Sequence, residues 1–164
     1  MQIRPEQPAD ARAISLLTAT AFLTAQHSSG TEAQIVERLR NSGGLLLSLV
    51  AEDAGEIIGH VAFSSVRIGG EWQNWVGLGP VSVAPSAQQG GVGSALIRDG
   101  LARMRAGGHA GCVVLGEPGY YTRFGFAATP GITYPGVPAE YFMAQGFAGA
   151  LPQGEVAFHP AFTG

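Results

Sequence analysis

Disulfide chemistry is the first thing the chain excludes. Its 164 residues include a single cysteine, Cys112, so it can close no internal bridge and build no cysteine-rich metal site. Charge is also scarce. Charged residues make up 13% and hydrophobic ones 46%, a balance that argues against disorder and for one domain with a real core. The formal net charge of −3 gives no general pull toward nucleic acid or an anionic membrane, and neither is expected as a partner. No apolar run approaches a membrane span; the most apolar stretch, Leu45 to Ala51, is the size of a strand. Met1-Gln2-Ile3-Arg4-Pro5 lacks the basic-then-apolar pattern of a secretion signal, so a soluble cytoplasmic protein is expected. Internal repeats, low-complexity tracts and an interdomain linker are absent too. His27, His60, His109 and His159 show no metal-ligand spacing, and no metal is expected. No Gly-x-Ser-x-Gly elbow supports a serine hydrolase.

Against these absences stands one stretch, Val81-Ser82-Val83-Ala84-Pro85-Ser86-Ala87-Gln88-Gln89-Gly90-Gly91-Val92-Gly93-Ser94-Ala95-Leu96. An apolar run ends at Pro85, a polar link follows, and glycines open an apolar-periodic segment, which reads as strand, turn and helix N-terminus. Such a terminus presents unpaired backbone N–H groups and about half a positive charge, and glycines let a ligand lie directly on the backbone. With so little basic charge in the chain, an anionic cofactor would be held by local backbone donors and a few arginines.

Around this stretch the elements follow in order. Ile3 and its neighbours suit a short strand, and Asp10 can cap a helix whose stripe is Ile14, Leu17, Ala21 and Phe22. Thr24 to Gly30 reads as a loop. Thr31-Glu32-Ala33-Gln34 fits a capping box ahead of Ile35, Val36 and Leu39, in a helix ending at Asn41-Ser42-Gly43-Gly44. Leu45 to Glu52, Ile57 to Ile68 and Trp75 to Val83 read as an antiparallel meander, turned at Asp53-Ala54-Gly55-Glu56 and Gly69-Gly70. Gly77, Gly79 and Pro80 in the third strand indicate either a bulge, where something approaches the backbone, or a kinked edge strand. Val92, Leu96, Ile97, Leu101 and Met104 mark the buried side of the next helix, with Asp99 and Arg103 paired on its solvent side. Gly100 inside that helix costs up to about 1 kcal/mol relative to alanine, which points to close packing. Gly111 to Gly116 is a short buried strand, so the helix forms a parallel crossover. Tyr120 to Phe124 reads as one or two helical turns ended by Gly125, with Phe126 starting a strand. Ala127 to Pro138 reads as loop, and Glu140 to Phe147 and Glu155 to Phe158 as terminal strands.

The glycine stretch is not a dinucleotide fingerprint, because Gly91-Val92-Gly93-Ser94-Ala95-Leu96 lacks the third glycine and no acidic residue follows at the required distance. It is not a P-loop either, since no Gly-Lys-Ser/Thr follows. A glycine turn serving packing alone would satisfy the glycines. The full pattern, Val83-x-Pro85-x-x-Gln88-x-x-Gly91-x-Gly93, resembles the acetyl-coenzyme A signature of the GNAT N-acetyltransferase superfamily. Tyr120-Tyr121-Thr122-Arg123-Phe124-Gly125-Phe126 is similar to that family's second element after the fifth strand. The resemblance extends to the N-terminal helices, the meander and the ending Glu155 to Phe162, and most resembles the small bacterial YhbS-like branch.

The resemblance implies a GNAT-like α/β (α+β) fold: a mixed, mostly antiparallel central sheet flanked by helices, with a splayed parallel strand pair that binds acetyl-CoA. It implies a single N-acetyltransferase domain over residues 1–164, with a core to about 128 and C-terminal strands and loops over 129–164. Coenzyme A diphosphate would rest on Gln88, Gln89, Gly90, Gly91, Val92, Gly93 and Ser94. Its pantetheine would pair with the edge of Val81, Ser82 and Val83, where a backbone N–H would polarise the thioester carbonyl. Tyr121 would protonate the departing thiolate, with core packing beside Tyr120, Phe124 and Phe126 as its alternative role. The amine must lose a proton before it attacks. Glu32, Glu37, Glu117, His27 and His60 are candidate bases, with Glu117 nearest the expected cleft, and each has an ordinary surface or core role as its alternative. Arg98, Arg103 and Arg105 could reach the cofactor's 3′-phosphate or simply face solvent.

The expected activity is acetyl transfer from acetyl-CoA to a primary amine of a small molecule or peptide, by direct attack in a ternary complex. A non-catalytic acyl-CoA-binding module on the same fold is the rival. Segments 24–31 and 127–147, expected to line the acceptor site, carry few charges, which suits a small or modestly apolar amine. Apolar C-terminal strands leave a homodimer open.

Overall fold

The computed structural model describes residues 1–23 and 30–163. After a first strand, β1 (Gln2–Pro5), come helix α1 (Ala11–Phe22) and helix α2 (Glu32–Ser42). Their stripes, Ile14 and Leu17 in α1 and Ile35, Val36 and Leu39 in α2, are buried as the periodicity requires. Neither helix starts as expected. Asp10 occupies the N-cap position of α1, yet its carboxylate accepts from the Gln7 N–H at 2.7 Å and from the Arg4 guanidinium at 2.7 and 3.2 Å. Those bonds tie β1 to the start of α1, and the Arg4 hydrogen bond holds the carboxyl below its ordinary range despite partial desolvation. Gln34, expected to close a capping box, instead gives its amide oxygen to Arg38 at 3.2 Å. Helix α2 stops, as expected, where Gly43 turns left-handed at φ 78°.

The meander is observed as β2 (Leu45–Asp53), β3 (Glu56–Ile68) and β4 (Trp75–Val83). Helix α3 (Val92–Ala106) then crosses to β5 (Gly111–Leu115), which runs parallel to β4. A short helix, α4 (Pro118–Tyr121), continues into a 3-10 turn, Thr122–Phe124. The remaining strands are β6 (Ile132–Thr133), β7 (Phe142–Gly146) and β8 (Gly154–Phe158). The main sheet runs β1-β2-β3-β4-β5-β7, and β8 pairs with the far end of β3 and with β6. Three expectations near the C-terminus are corrected. Phe126 begins no strand: it is buried, and only the next residue, Ala127, makes a single bridge, to Ala144. The loop expected over Ala127 to Pro138 contains β6. The strand expected from Glu140 begins at Phe142, because Ala139–Tyr141 forms a 3-10 turn.

One side of the sheet packs Leu49, Val61, Phe63 and Val76 against Leu96, Ile97, Leu101 and Met104 of α3. Gly100 sits where α3 meets Phe63; a Cβ there would lie 2.2 Å from a ring carbon, which is the close packing the sequence indicates. On the other side Ile14 and Val36 cover Val50, and β8 helps to cover Val66, Ile68 and Trp75. Among the described residues no helix is long and apolar enough to cross a membrane.

Beside Val50 a polar chain runs from the partly buried Arg40 and Glu6 to the buried Ser48 and His60. Arg40 donates to the Glu6 carboxylate at 2.8 and 3.0 Å, the Ser48 hydroxyl donates to the same carboxylate, and the Ser48 oxygen meets His60 Nε2 at 2.7 Å. Because the single Ser48 proton goes to Glu6, His60 must donate from Nε2, which leaves Nδ1 bare and without a partner among the described residues. Burial is the main reason that the His60 pKa falls from 6.5 to about 4. The unfolded chain therefore binds a proton that the folded one refuses, so stability is full above pH 6.5 and declines as pH falls toward 4. We expect a loss of about 3 kcal/mol across that window. Urea unfolding at stepped pH checks it: wild type should lose stability over the window, whereas His60→Gln, though weaker throughout, should not show this slope.

Candidate active site

The parallel pair carries the first unusual geometry. Strands β4 and β5 are in register at Trp75 with Gly111, Val76 with Cys112 and Gly77 with Val113, and there the pairing stops although both strands run on. Opposite this point β3 sets one residue, Ala62, against Gly79 and Pro80, since Val61 pairs with Val81 and Phe63 with Leu78. Two residues facing one make a bulge, and it lies in an interior strand, which settles between the two readings of Gly79-Pro80. Beyond it Val81, Ser82 and Val83 pair with β3 on one side and, among the described residues, with no strand on the other, so their backbone edge toward β5 is open to that extent. The Ser82 side chain points away from that edge, donating to Thr18 Oγ1 at 3.2 Å.

At the end of β4 the chain enters the glycine loop. Gln88 turns its side chain back and donates to the Val83 carbonyl at 3.2 Å, so it braces the loop. Gln89 and Gly91 adopt left-handed φ angles of 67° and 83°, a turn that a glycine makes without strain and a glutamine does not. The ladder of α3 starts with the Ala95 N–H on the Gly91 carbonyl at 3.0 Å, which leaves the N–H groups of Val92, Gly93 and Ser94 outside it. The Val92 side chain is buried against Gly59, so only its backbone faces the loop. These groups border a cavity of about 360 Å³ that Tyr120 and Arg123 also line.

The paired tyrosines divide between two places. Tyr121 lies against the end of β5: a Cβ on Gly116 would fall 2.4 Å from its ring. Its ring also meets those of Tyr120 at 5.0 Å and Phe126 at 6.2 Å. Burial, with smaller contributions from Tyr120 and Cys112, pushes its pKa up to about 12, so it holds its proton throughout the neutral range. Tyr120 turns the other way. Its hydroxyl lies 3.3 Å from where a Gly93 Cβ would stand, and the Arg123 guanidinium stacks 4.8 Å from its ring centre. Residue spacing assigns neither Tyr120 nor Arg123 a role at the loop; their place there is visible only in three dimensions.

A family model described as "Acetyltransferase (GNAT) domain" matches residues 2–129. The chain belongs to the GNAT acetyltransferases. It is 42% identical over 127 residues to the N-acetyltransferase YhbS of Escherichia coli strain K12, a match covering 77% of this chain and 73% of that one. A GNAT family acetyltransferase from Brucella melitensis, solved in complex with acetyl-CoA, superposes with a TM-score of 0.89 at 48% identity, covering 98% of this chain and 97% of that one. Escherichia coli YhbS, solved in complex with CoA, gives a TM-score of 0.89 at 35% identity, covering 99% and 91%. This chain is thus an acyltransferase with the α/β architecture of its family.

The other candidate residues of this GNAT chain are scattered. His27 lies outside the described residues. His60 is sealed in the Glu6–Ser48 chain. Glu32 opens α2, Glu37 is exposed on it, and Glu117 is exposed just ahead of α4. Arg98 stacks on Phe124, Arg105 stacks on Phe147 and Arg103 pairs with Asp99, and none of the three lines the loop cavity. Cys112 is buried, with its thiol pKa pushed up by burial. No cluster of three or more potential metal ligands occurs among the described residues.

Proposed function

We propose that this acetyltransferase moves the acetyl group of acetyl-CoA to a primary amine by direct attack. The observation that carries the reading is the open edge of Val81, Ser82 and Val83 in β4, bounded by the glycine loop at one end and facing the strand whose end packs against Tyr121. Pantetheine amides can add to that edge as another strand would, and a backbone N–H there is placed to polarise the thioester carbonyl. The N–H groups of Val92, Gly93 and Ser94 that the α3 ladder leaves over, with the left-handed Gln89 and Gly91 on either side of Gly90 and the Gln88 brace, make a seat for a diphosphate. The acetyl-CoA and CoA complexes of the two similar proteins support the same use of the site here.

Acetyl-CoA supplies an activated acetyl group. The amine nitrogen forms a bond to the acetyl carbon and gives up a proton to water, the carbon–sulfur bond breaks, and the sulfur takes its proton from the Tyr121 hydroxyl. Tyr121 then recovers a proton from solvent. Cys112, buried and held as a thiol, is not suited to carry the acetyl group.

The overall reading is tested by acetyl-CoA turnover over a panel of amines and peptides, followed by released thiol. Thiol release with some amines is expected; none over a broad panel, with acetyl-CoA still bound, would leave a binding module. The seat has its own test. A leucine at Gly93 would project past Val83 and the Tyr120 hydroxyl into the cavity, at a helical position that imposes no backbone strain. Gly93→Leu should weaken acetyl-CoA binding by at least about tenfold while thermal stability changes little. Gly91 is the poorer choice, because its φ of 83° would charge a side chain about 1–2 kcal/mol of folding free energy as well. Titration calorimetry beside a melting curve separates the two effects.

A further inference from the structure

Resting on the acetyl-CoA reading, we propose that Arg123, held in place by the face of Tyr120, is the side-chain cation of the diphosphate seat and sets selection for a phosphorylated cofactor over bare pantetheine. The backbone seat alone presents only dipoles: partial charge from α3 and the N–H groups of Val92, Gly93 and Ser94. A diphosphate carries full charge, and a chain with net charge −3 offers no compensating background field. The arginines of α3 do not supply the charge: Arg98, Arg103 and Arg105 do not line the loop cavity, and Arg103 is paired with Asp99. Arg123 differs from them in place. It lines the same cavity as Gln88, Gln89, Gly91 and Gly93, and among the described residues no carboxylate forms an ion pair with it.

Its placement is built by the local fold. The Thr122–Phe124 turn is closed by Gly125 at φ 96°. Phe124 is buried in the core, which fixes the turn and leaves Arg123 outside it. The guanidinium lies 4.8 Å from the Tyr120 ring centre, and the hydroxyl of that ring stands over Gly93. Stacking restrains the side chain while leaving the edges of the guanidinium free to donate to phosphate oxygens. The two tyrosines thereby serve opposite ends of one ligand: Tyr121 the thioester end, Tyr120 the phosphate end through Arg123.

The test uses the full chain and three probes: acetyl-CoA, 3′-dephospho-acetyl-CoA and S-acetyl-pantetheine, which has no phosphate. Arg123→Gln should weaken the first two by an equal factor, about tenfold or more for a charge-assisted contact, and leave the third unchanged. The salt dependence of acetyl-CoA binding should become shallower in the variant. Tyr120→Leu should reproduce the loss, whereas Tyr120→Phe, which keeps the ring, should retain most of the affinity. Equal binding of all three probes by wild type and Arg123→Gln overturns the proposal. A loss confined to acetyl-CoA, with the dephospho form unaffected, also overturns it, because the contact would then be to the 3′-phosphate. Wild type that binds none of the probes would refute the acetyl-CoA reading itself, a result distinct from either. Arg123 is exposed and outside the core, so a melting curve on Arg123→Gln should match wild type and confirm that binding alone is read.

Discussion

Replacing Tyr121 by phenylalanine should lower turnover by about a hundredfold or more, the usual worth of a positioned proton donor, while acetyl-CoA binds as before. The change removes one oxygen from a ring that otherwise packs on Gly116, Tyr120 and Phe126, so the fold keeps its contacts. The pKa of about 12 sharpens the expectation. A phenol held in its neutral form by burial stays protonated well above neutral pH. Tyr121 should therefore contribute no falling limb to the pH–rate profile below about 12, and any limb seen lower must come from the amine or its base. Steady-state kinetics across pH, with cofactor affinity measured separately, tests both statements. Unchanged turnover in Tyr121→Phe would remove the hydroxyl from the mechanism and leave Tyr121 as a packing residue. A loss of cofactor affinity equal to the loss of turnover would instead place it in binding.

Gly100→Ala should destabilise the protein, against the intrinsic preference of the helix that contains it. In an exposed helix the change would stabilise by about 1 kcal/mol. Here the new methyl would stand 2.2 and 2.5 Å from two carbons of the Phe63 ring, well inside contact distance. Phe63 is fully buried between α3 and the sheet and is no flexible chain end that could swing aside. Either the ring leaves its position or α3 lifts off the sheet, and overpacking of this kind costs about 1–3 kcal/mol or more. We expect a net loss of about 2 kcal/mol, or roughly 4–8 °C in melting temperature for a chain of this size. Pairing the change with Phe63→Leu supplies the control. If the clash is the cause, the double variant should lose less than the sum of the two single losses. Additive losses would mean that Gly100 serves some need other than room for Phe63. The same contact bears on function, because the seat of α3 on the sheet sets where the Val92, Gly93 and Ser94 N–H groups stand relative to the open edge of β4.

The features that local chemistry controls were legible in the chain. Turn residues at Ala54-Gly55 and Gly69-Gly70 set the meander, and an apolar period of 3.6 set α3, because backbone preference and hydrophobic spacing act over a few residues. The glycine loop and the Tyr120-to-Phe126 segment were legible for the same reason, and so was the family they point to. Capping was less so: Asp10 and Gln34 carry the right side chains at the right places, but Arg4 and Arg38 compete for them, and local spacing does not weigh a charged partner against a helix end. Tertiary structure decided what depends on packing across the sheet. It placed the Gly79-Pro80 bulge in an interior strand, stopped β4 and β5 pairing after Gly77 and Val113, and sealed His60 behind Ser48. It also carried Tyr120 and Arg123 from beyond β5 to the loop that opens α3. Such contacts join residues far apart in sequence, where no short-range preference acts, so only the folded chain could bring an arginine to that loop.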